Sequence, residues 1–153
     1  MQAASVMFHL AGVDKDAFLA GVRPPRRLRR HHAAYDMTEA DVRGEARFAD
    51  SIGIYPEFID GYGVLVLPTT GRYMHVPYRA LVPRGVRNLL VAGRAIGGDR
   101  IAHAATRNMA CCAVTGQGAG IAAAISPATG REPAAVDVEL VRRELARQGV
   151  RYR

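Results

Sequence analysis

His103 and Arg107 form the first pair of side chains whose types and spacing suit chemistry. Four residues make one helical turn, so on a helix both project from the same side. An imidazole there exchanges protons near neutral pH, and a guanidinium holds an anion or a developing negative charge. Asn108 and Met109 follow directly; upstream, Gly93 and Arg94 close the apolar run Leu89 to Ala92. A short apolar run with turns at both ends predicts a strand buried on both faces. The loop after it, Arg94 to Arg100, then lies where open α/β sheets bind ligands. Each residue also has an ordinary reading: Arg94 and Arg107 can pair with Asp99, Asp60 or a helix end, and His103 can satisfy a local hydrogen bond.

Other clusters carry less. Cys111 and Cys112 are the only cysteines and are adjacent, which suits neither a disulfide scaffold nor a zinc site and reads as small buried filler in a reducing compartment; no metal is expected. Arg23, Arg26, Arg27, Arg29 and Arg30, followed by His31 and His32, make one dense basic block. Guanidinium forks match phosphate, but no aromatic residue interleaves for base stacking, and a solvated connector is the simpler reading. Gly118-Ala119-Gly120-Ile121-Ala122-Ala123 matches G-x-G-x-x-A, yet no strand precedes it and Asp137 caps a helix instead of ending a strand. Tight packing explains it better than a phosphate loop.

The elements that must position these residues follow from pattern. Asp16 to Ala20 predicts a short helix stopped by Gly21; Arg23 to Arg26 is held extended by Pro24 and Pro25; Thr38 caps a helical turn to Val42. Ile52 to Tyr55, Val64 to Leu67 and Tyr73 to Val76 predict strands, with Val64 to Val76 as a hairpin turned at Pro68 to Gly71. Ala104 to Ala124 predicts a buried helix of small residues, ended by Ser126-Pro127 and Gly130. Glycine costs a helix about 1 kcal/mol relative to alanine, so Gly116, Gly118 and Gly120 imply a close neighbour. Asp137 starts a last amphipathic helix, Val138 to Gln148, with Val138, Val141 and Leu145 on one face and Gly149 stopping it.

Composition sets the frame. A chain of 153 residues with 49% hydrophobic and 23% charged side chains excludes wholesale disorder and suffices for a core without disulfides or metal. The net charge of +7 comes from 21 basic and 14 acidic residues, and all but Lys15 of the basic ones are arginine. Met1 to Leu10 shows no basic start and no cleavage site, so no signal peptide is expected and the cytoplasm is the default. The apolar stretch Ile101 to Ile125 is broken by His103, Arg107, Asn108 and Gln117 and is read as soluble, with no membrane partner.

Taken together, Val76-Pro77-Tyr78-Arg79-Ala80-Leu81-Val82-Pro83, Asn88-Leu89-Leu90-Val91-Ala92-Gly93-Arg94, then His103, Arg107, Cys112 and Gly116-Gln117-Gly118-Ala119-Gly120 resemble a known family. In order and spacing they are similar to the C-terminal part of FAD-dependent oxidoreductases related to fumarate reductase-like flavoproteins. Met37 to Val42 with Arg47 to Asp50, and Val136 to Leu140, extend the resemblance over roughly Arg23 to Val150, with a fainter match at Met7 to Asp14. His9 stands where the family tends to have arginine, and Gly97-Gly98-Asp99 replaces its usual small-polar and histidine residues.

The resemblance implies an α/β fold with α+β character: part of a Rossmann-like FAD-binding fold, with a small hairpin region and a buried Gly/Ala helix. It divides the chain into an N-terminal segment, 1–22, an Arg-rich connector with a short helix, 23–50, and the oxidoreductase part, 51–153. It implies FAD, touched by Gly93, Arg94, Arg107, Asn108 and Met109, with His103 as the catalytic proton donor or acceptor. The chain is then a fragment, a truncated gene product or one subunit of a split enzyme; partners would be a small organic substrate and, in the split case, a separate chain supplying the strand-G-x-G-x-x-G-helix half that the family places first; no nucleic acid is expected. The alternative is a non-catalytic α/β fragment or interaction subunit that binds an anionic partner through the arginine block. Tyr78 and Arg79 either face substrate or brace the sheet.

Overall fold

The chain divides into two units, Met1–Arg30 and His31–Arg153. The computed structural model describes residues 32–152 apart from Tyr62. The expected helix at Asp16 to Ala20, the arginine block and the match at Met7 to Asp14 lie outside the described residues.

Local chemistry starts the first helix where expected. Thr38 and Asp41 form a reciprocal cap: Asp41 N–H donates to Thr38 Oγ1 at 3.3 Å and Thr38 N–H to Asp41 Oδ2 at 2.8 Å, opening α1, Glu39–Arg43. Four strands follow: β1 Ser51–Pro56, β2 Ile59–Gly61, β3 Val64–Val66 and β4 Tyr73–Pro77. They make two antiparallel pairs, β1 with β4 (Ile54 opposite His75, Tyr55 opposite Met74) and β2 with β3 (Asp60 opposite Leu65).

The expected hairpin over Val64 to Val76 is therefore corrected. Val64 to Val66 turns back onto Ile59 to Gly61 across a two-residue connection ending in Gly63, whose φ of 79° suits a tight turn. That closure is shorter than one over Pro68 to Gly71, and it frees β4 to lay Met74 and Val76 in the core beside Ile52.

Leu89 to Ala92 forms no strand. Its one backbone bond of the ladder kind among the described residues is Val91 N–H to Leu81 C=O at 2.8 Å, and Leu89 is 45% exposed. A strand buried on both faces needs a hydrogen-bonded neighbour on each side, and among the described residues only Leu81 bonds across to this run, through one bond. The mixed α/β character holds; the sheets present are small and antiparallel, and the sole parallel contact among the described residues is the single bridge Met37–Gly98.

The predicted helix Ala104 to Ala124 is two helices, α2 Arg100–Thr106 and α3 Met109–Thr129. Asp99 starts α2 earlier by accepting Ile101 and Ala102 N–H at 2.9 and 2.8 Å. Asn108 then breaks the run with an extended backbone, φ −67° and ψ 149°. Pro127 lies inside the last turn, and the stop comes at Gly130 in the left-handed region.

Only one face of α3 is buried, through Cys111, Thr115, Gly118, Ala122 and Ser126, which corrects the expectation of a buried helix. Close approach explains one of its three glycines. A Cβ on Gly118 would sit 2.6 Å from Ile52 Cδ1, whereas Gly116 and Gly120 meet nothing within 4 Å. Gly118 to Ala123 is helical throughout, so the G-x-G-x-x-A match is no phosphate loop. By length and composition α3 could also cross a bilayer, the one such helix among the described residues, with a third of its span buried in the protein.

The last helix, α4 Val138–Arg147, opens on Asp137, which accepts Glu139 N–H at 3.0 Å, and buries Val141 and Leu145; Gly149 follows with φ 77°. Its buried Arg142 donates from Nε to Ser51 C=O at 2.8 Å and lies over the Tyr152 ring.

Candidate functional site

Five of the six residues singled out in the sequence meet where the 89–92 run ends against the α2–α3 junction. Gly93 opens a single 3-10 turn with φ 64°, and its N–H donates to Thr115 Oγ1 at 2.9 Å, in the second turn of α3. Thr115 is held by its own back-bonds to Cys111 and Cys112 carbonyls at 3.0 and 3.1 Å. A Cβ on Gly93 would rest 3.5 Å from Cys112 Sγ, so the turn lies directly on α3.

Arg94 is exposed, and its Nε–H donates to Arg107 C=O at 3.3 Å. Arg107 reaches the other way: its Nη2 donates to Asp60 C=O at 2.7 Å and lies 3.4 Å from Asp60 Oδ2. The ordinary readings of these arginines are thus observed, one at a helix end and the other on Asp60. Asp99 pairs with neither and instead caps α2 and accepts Glu39 N–H at 2.8 Å.

Asn108 occupies the N-cap position of α3 without capping it; its Nδ2–H donates back to Ala105 C=O at 2.7 Å. No acidic residue stands in the first turn, and Met109 there is 86% exposed. A helix of 21 residues therefore presents its uncapped amide end to the surface directly after Arg107, whose carbonyl Arg94 contacts. His103 is half-buried on α2, one turn before Arg107, which donates its N–H to His103 C=O at 3.1 Å.

Two buried neighbours hold their protons. Burial first, then Cys112, pushes the Cys111 thiol up to about 12, so it stays protonated filler. Burial likewise pushes Tyr55 up to about 12, with both cysteines adding. Tyr78 is buried and donates to Pro133 C=O at 2.6 Å, while Arg79 pairs with Asp50 at 2.9 Å and covers the Tyr35 ring; both brace the structure. An open groove of about 710 Å³, lined by Leu89, Leu90, Gly120, Ala123 and Arg131 among others, lies at the opposite end of α3 from the junction.

Sequence pattern alone does not single out Thr115 or Cys112 for this junction, and it offers Asp60 only as an ion-pair partner. The Thr115 hydroxyl is not distinctive, since Ser126 and Thr129 lie in the same helix. Its partnership with Gly93 spans 22 positions and has no sequence pattern.

The sequence model of a family described as FAD dependent oxidoreductase matches residues 3–145. The chain belongs to the FAD-dependent oxidoreductase family. No curated protein and no solved structure matches it. FAD is the cofactor that this family implies, and its members have a flavin oxidoreductase role. The donor set at the junction fits that group: a reduced flavin gathers negative charge at its pyrimidine end, and uncapped helix amides following Arg107, with Arg94 on the Arg107 carbonyl, suit that charge.

Proposed function

We propose that this chain is the distal portion of a fumarate reductase-like FAD-dependent oxidoreductase, serving hydride transfer between a small organic substrate and the flavin. Gly93 and Arg94 would hold the cofactor chain. Arg107 and the amides from Asn108 and Met109 onward would face the pyrimidine end, and His103 would exchange the substrate proton. The uncapped amino end of α3, which follows Arg107 directly and has no acidic residue in its first turn, carries this reading, because an unsatisfied helix end suits an anionic group.

A separate chain would supply the strand-G-x-G-x-x-G-helix half, without which this one is inactive. Two observations support such a partner. The 89–92 run has backbone groups without a ladder, and the face of α3 bearing Ala113, Gly116, Gly120 and Ala123 is exposed beside it. Co-expression with a chain carrying that half, followed by a visible spectrum of the purified pair, tests the reading. Flavin bands that appear only with both chains support it; a stable pair without flavin absorbance refutes it.

A further inference from the structure

We propose that Asp60 is a positioning residue that sets both the place and the net charge of Arg107, and through that charge the ease with which the flavin is reduced; this rests on the function proposed above. Both contacts to Asp60 come from a single nitrogen of Arg107, Nη2, and they divide the work. The backbone carbonyl, at 2.7 Å, fixes where the guanidinium sits. The carboxylate, at 3.4 Å, offsets its charge.

Nε and Nη1 of Arg107 make no hydrogen bond among the described residues, so the rest of the fork is open to a ligand. Asp60 stands opposite the exposed Leu65 on the outer face of β2–β3, while Ile59 turns into the core. Side-chain exposures of 56% for Asp60 and 25% for Arg107 make this an open pair, a poor device for stability. Arg107 also takes Arg94 Nε–H on its own carbonyl, so one residue ties the hairpin to the Gly93 turn. A cofactor arriving here meets an arginine whose charge is already part-neutralised.

Asp60→Asn separates the two roles, because it keeps the backbone carbonyl and removes the charge. The flavin-loaded pair of chains is titrated for the two-electron midpoint potential, and the chain alone is melted. Asp60→Asn is expected to leave the melt unchanged and to raise the potential by about 30 mV, the equivalent of a tenfold tighter hold on reduced flavin. Arg107→Ala lowers the potential, Asp60→Glu restores the parent value, and Asp60→Asn has no effect once Arg107 is alanine. An unchanged potential in Asp60→Asn, or a shift that survives without Arg107, overturns the inference while leaving the proposed function standing. Unfolding of Asp60→Asn overturns it too, because the pair would then be structural. Absence of flavin from every pair is the separate failure of the proposed function itself.

Discussion

Alanine at each of the three glycines of α3 gives a prediction whose sign changes with position. Replacing a mid-helix glycine by alanine is worth about 1 kcal/mol in propensity. At Gly116 and Gly120 the new Cβ meets nothing within 4 Å, so the whole gain is kept. At Gly118 it lands 2.6 Å from Ile52 Cδ1 and 3.3 Å from Ile52 Cβ, and Ile52 is fully buried against the core. Overpacking of that kind costs about 1–3 kcal/mol. The sum at Gly118 is neutral to about 2 kcal/mol destabilising, combining that cost with the propensity gain. For a domain of this size 1 kcal/mol moves the melting temperature by about 2–4 °C. Gly116→Ala and Gly120→Ala should each therefore raise the melt of the chain alone by that amount, read by circular dichroism alongside urea midpoints. Gly118→Ala should leave it unchanged or lower it by up to about twice as much. In the two-chain complex, Gly120→Ala should instead weaken association, because its open face is where the partner is proposed to lie. A stabilised Gly118→Ala, or a destabilised Gly116→Ala in the isolated chain, refutes the packing argument.

Three further outcomes follow from the same contacts. Thr115→Val leaves the Gly93 N–H without its acceptor, at a cost of about 1–3 kcal/mol; urea denaturation should show it, and FAD affinity in the two-chain complex should fall with it. Tyr78→Phe removes the hydrogen bond to Pro133 C=O and should cost about 0.5–1.5 kcal/mol by the same assay, with no change in flavin binding. Cys111 is raised from 9.0 to about 12, and Tyr55 and Tyr78 from 10.0 to about 12, all with burial as the main cause. The unfolded chain therefore releases these protons first: stability is full below pH 9, falls as pH rises from 9 toward 12, and Cys111→Ala moves the onset up toward 10. Denaturant midpoints measured against pH check this, and a flat profile up to pH 11 would contradict it.

Elements set by near neighbours are legible in the order of residues. Thr38 with Asp41, Asp137 with Glu139, and Gly149 are contacts or backbone states whose residues lie at most three positions apart, and the caps and the stop stand where expected. Strand pairing is not legible in this way. Ile59-Asp60-Gly61 is too short to read as a strand, and only the closure at Gly63 decides that Val64 to Val66 pairs backward onto it. The apolar run 89–92 has a strand's composition, but a strand is a relation to a neighbour, which composition does not contain. At the site, Gly93, Arg94 and Arg107 to Met109 stand out through the order of motifs, and their assembly at one helix junction is a tertiary fact.

By itself, then, the sequence determined the caps at Thr38 and Asp137, the mixed α/β class and the flavin oxidoreductase kinship, because each is written in local spacing or in motif order. Tertiary structure alone decided two things. Ile52 makes Gly118 necessary while Gly116 and Gly120 stand open. Asp60, 47 positions away, holds Arg107. The physical reason is common to both: close approach and charge pairing depend on distance in space, and the chain brings those residues together only after its core has formed.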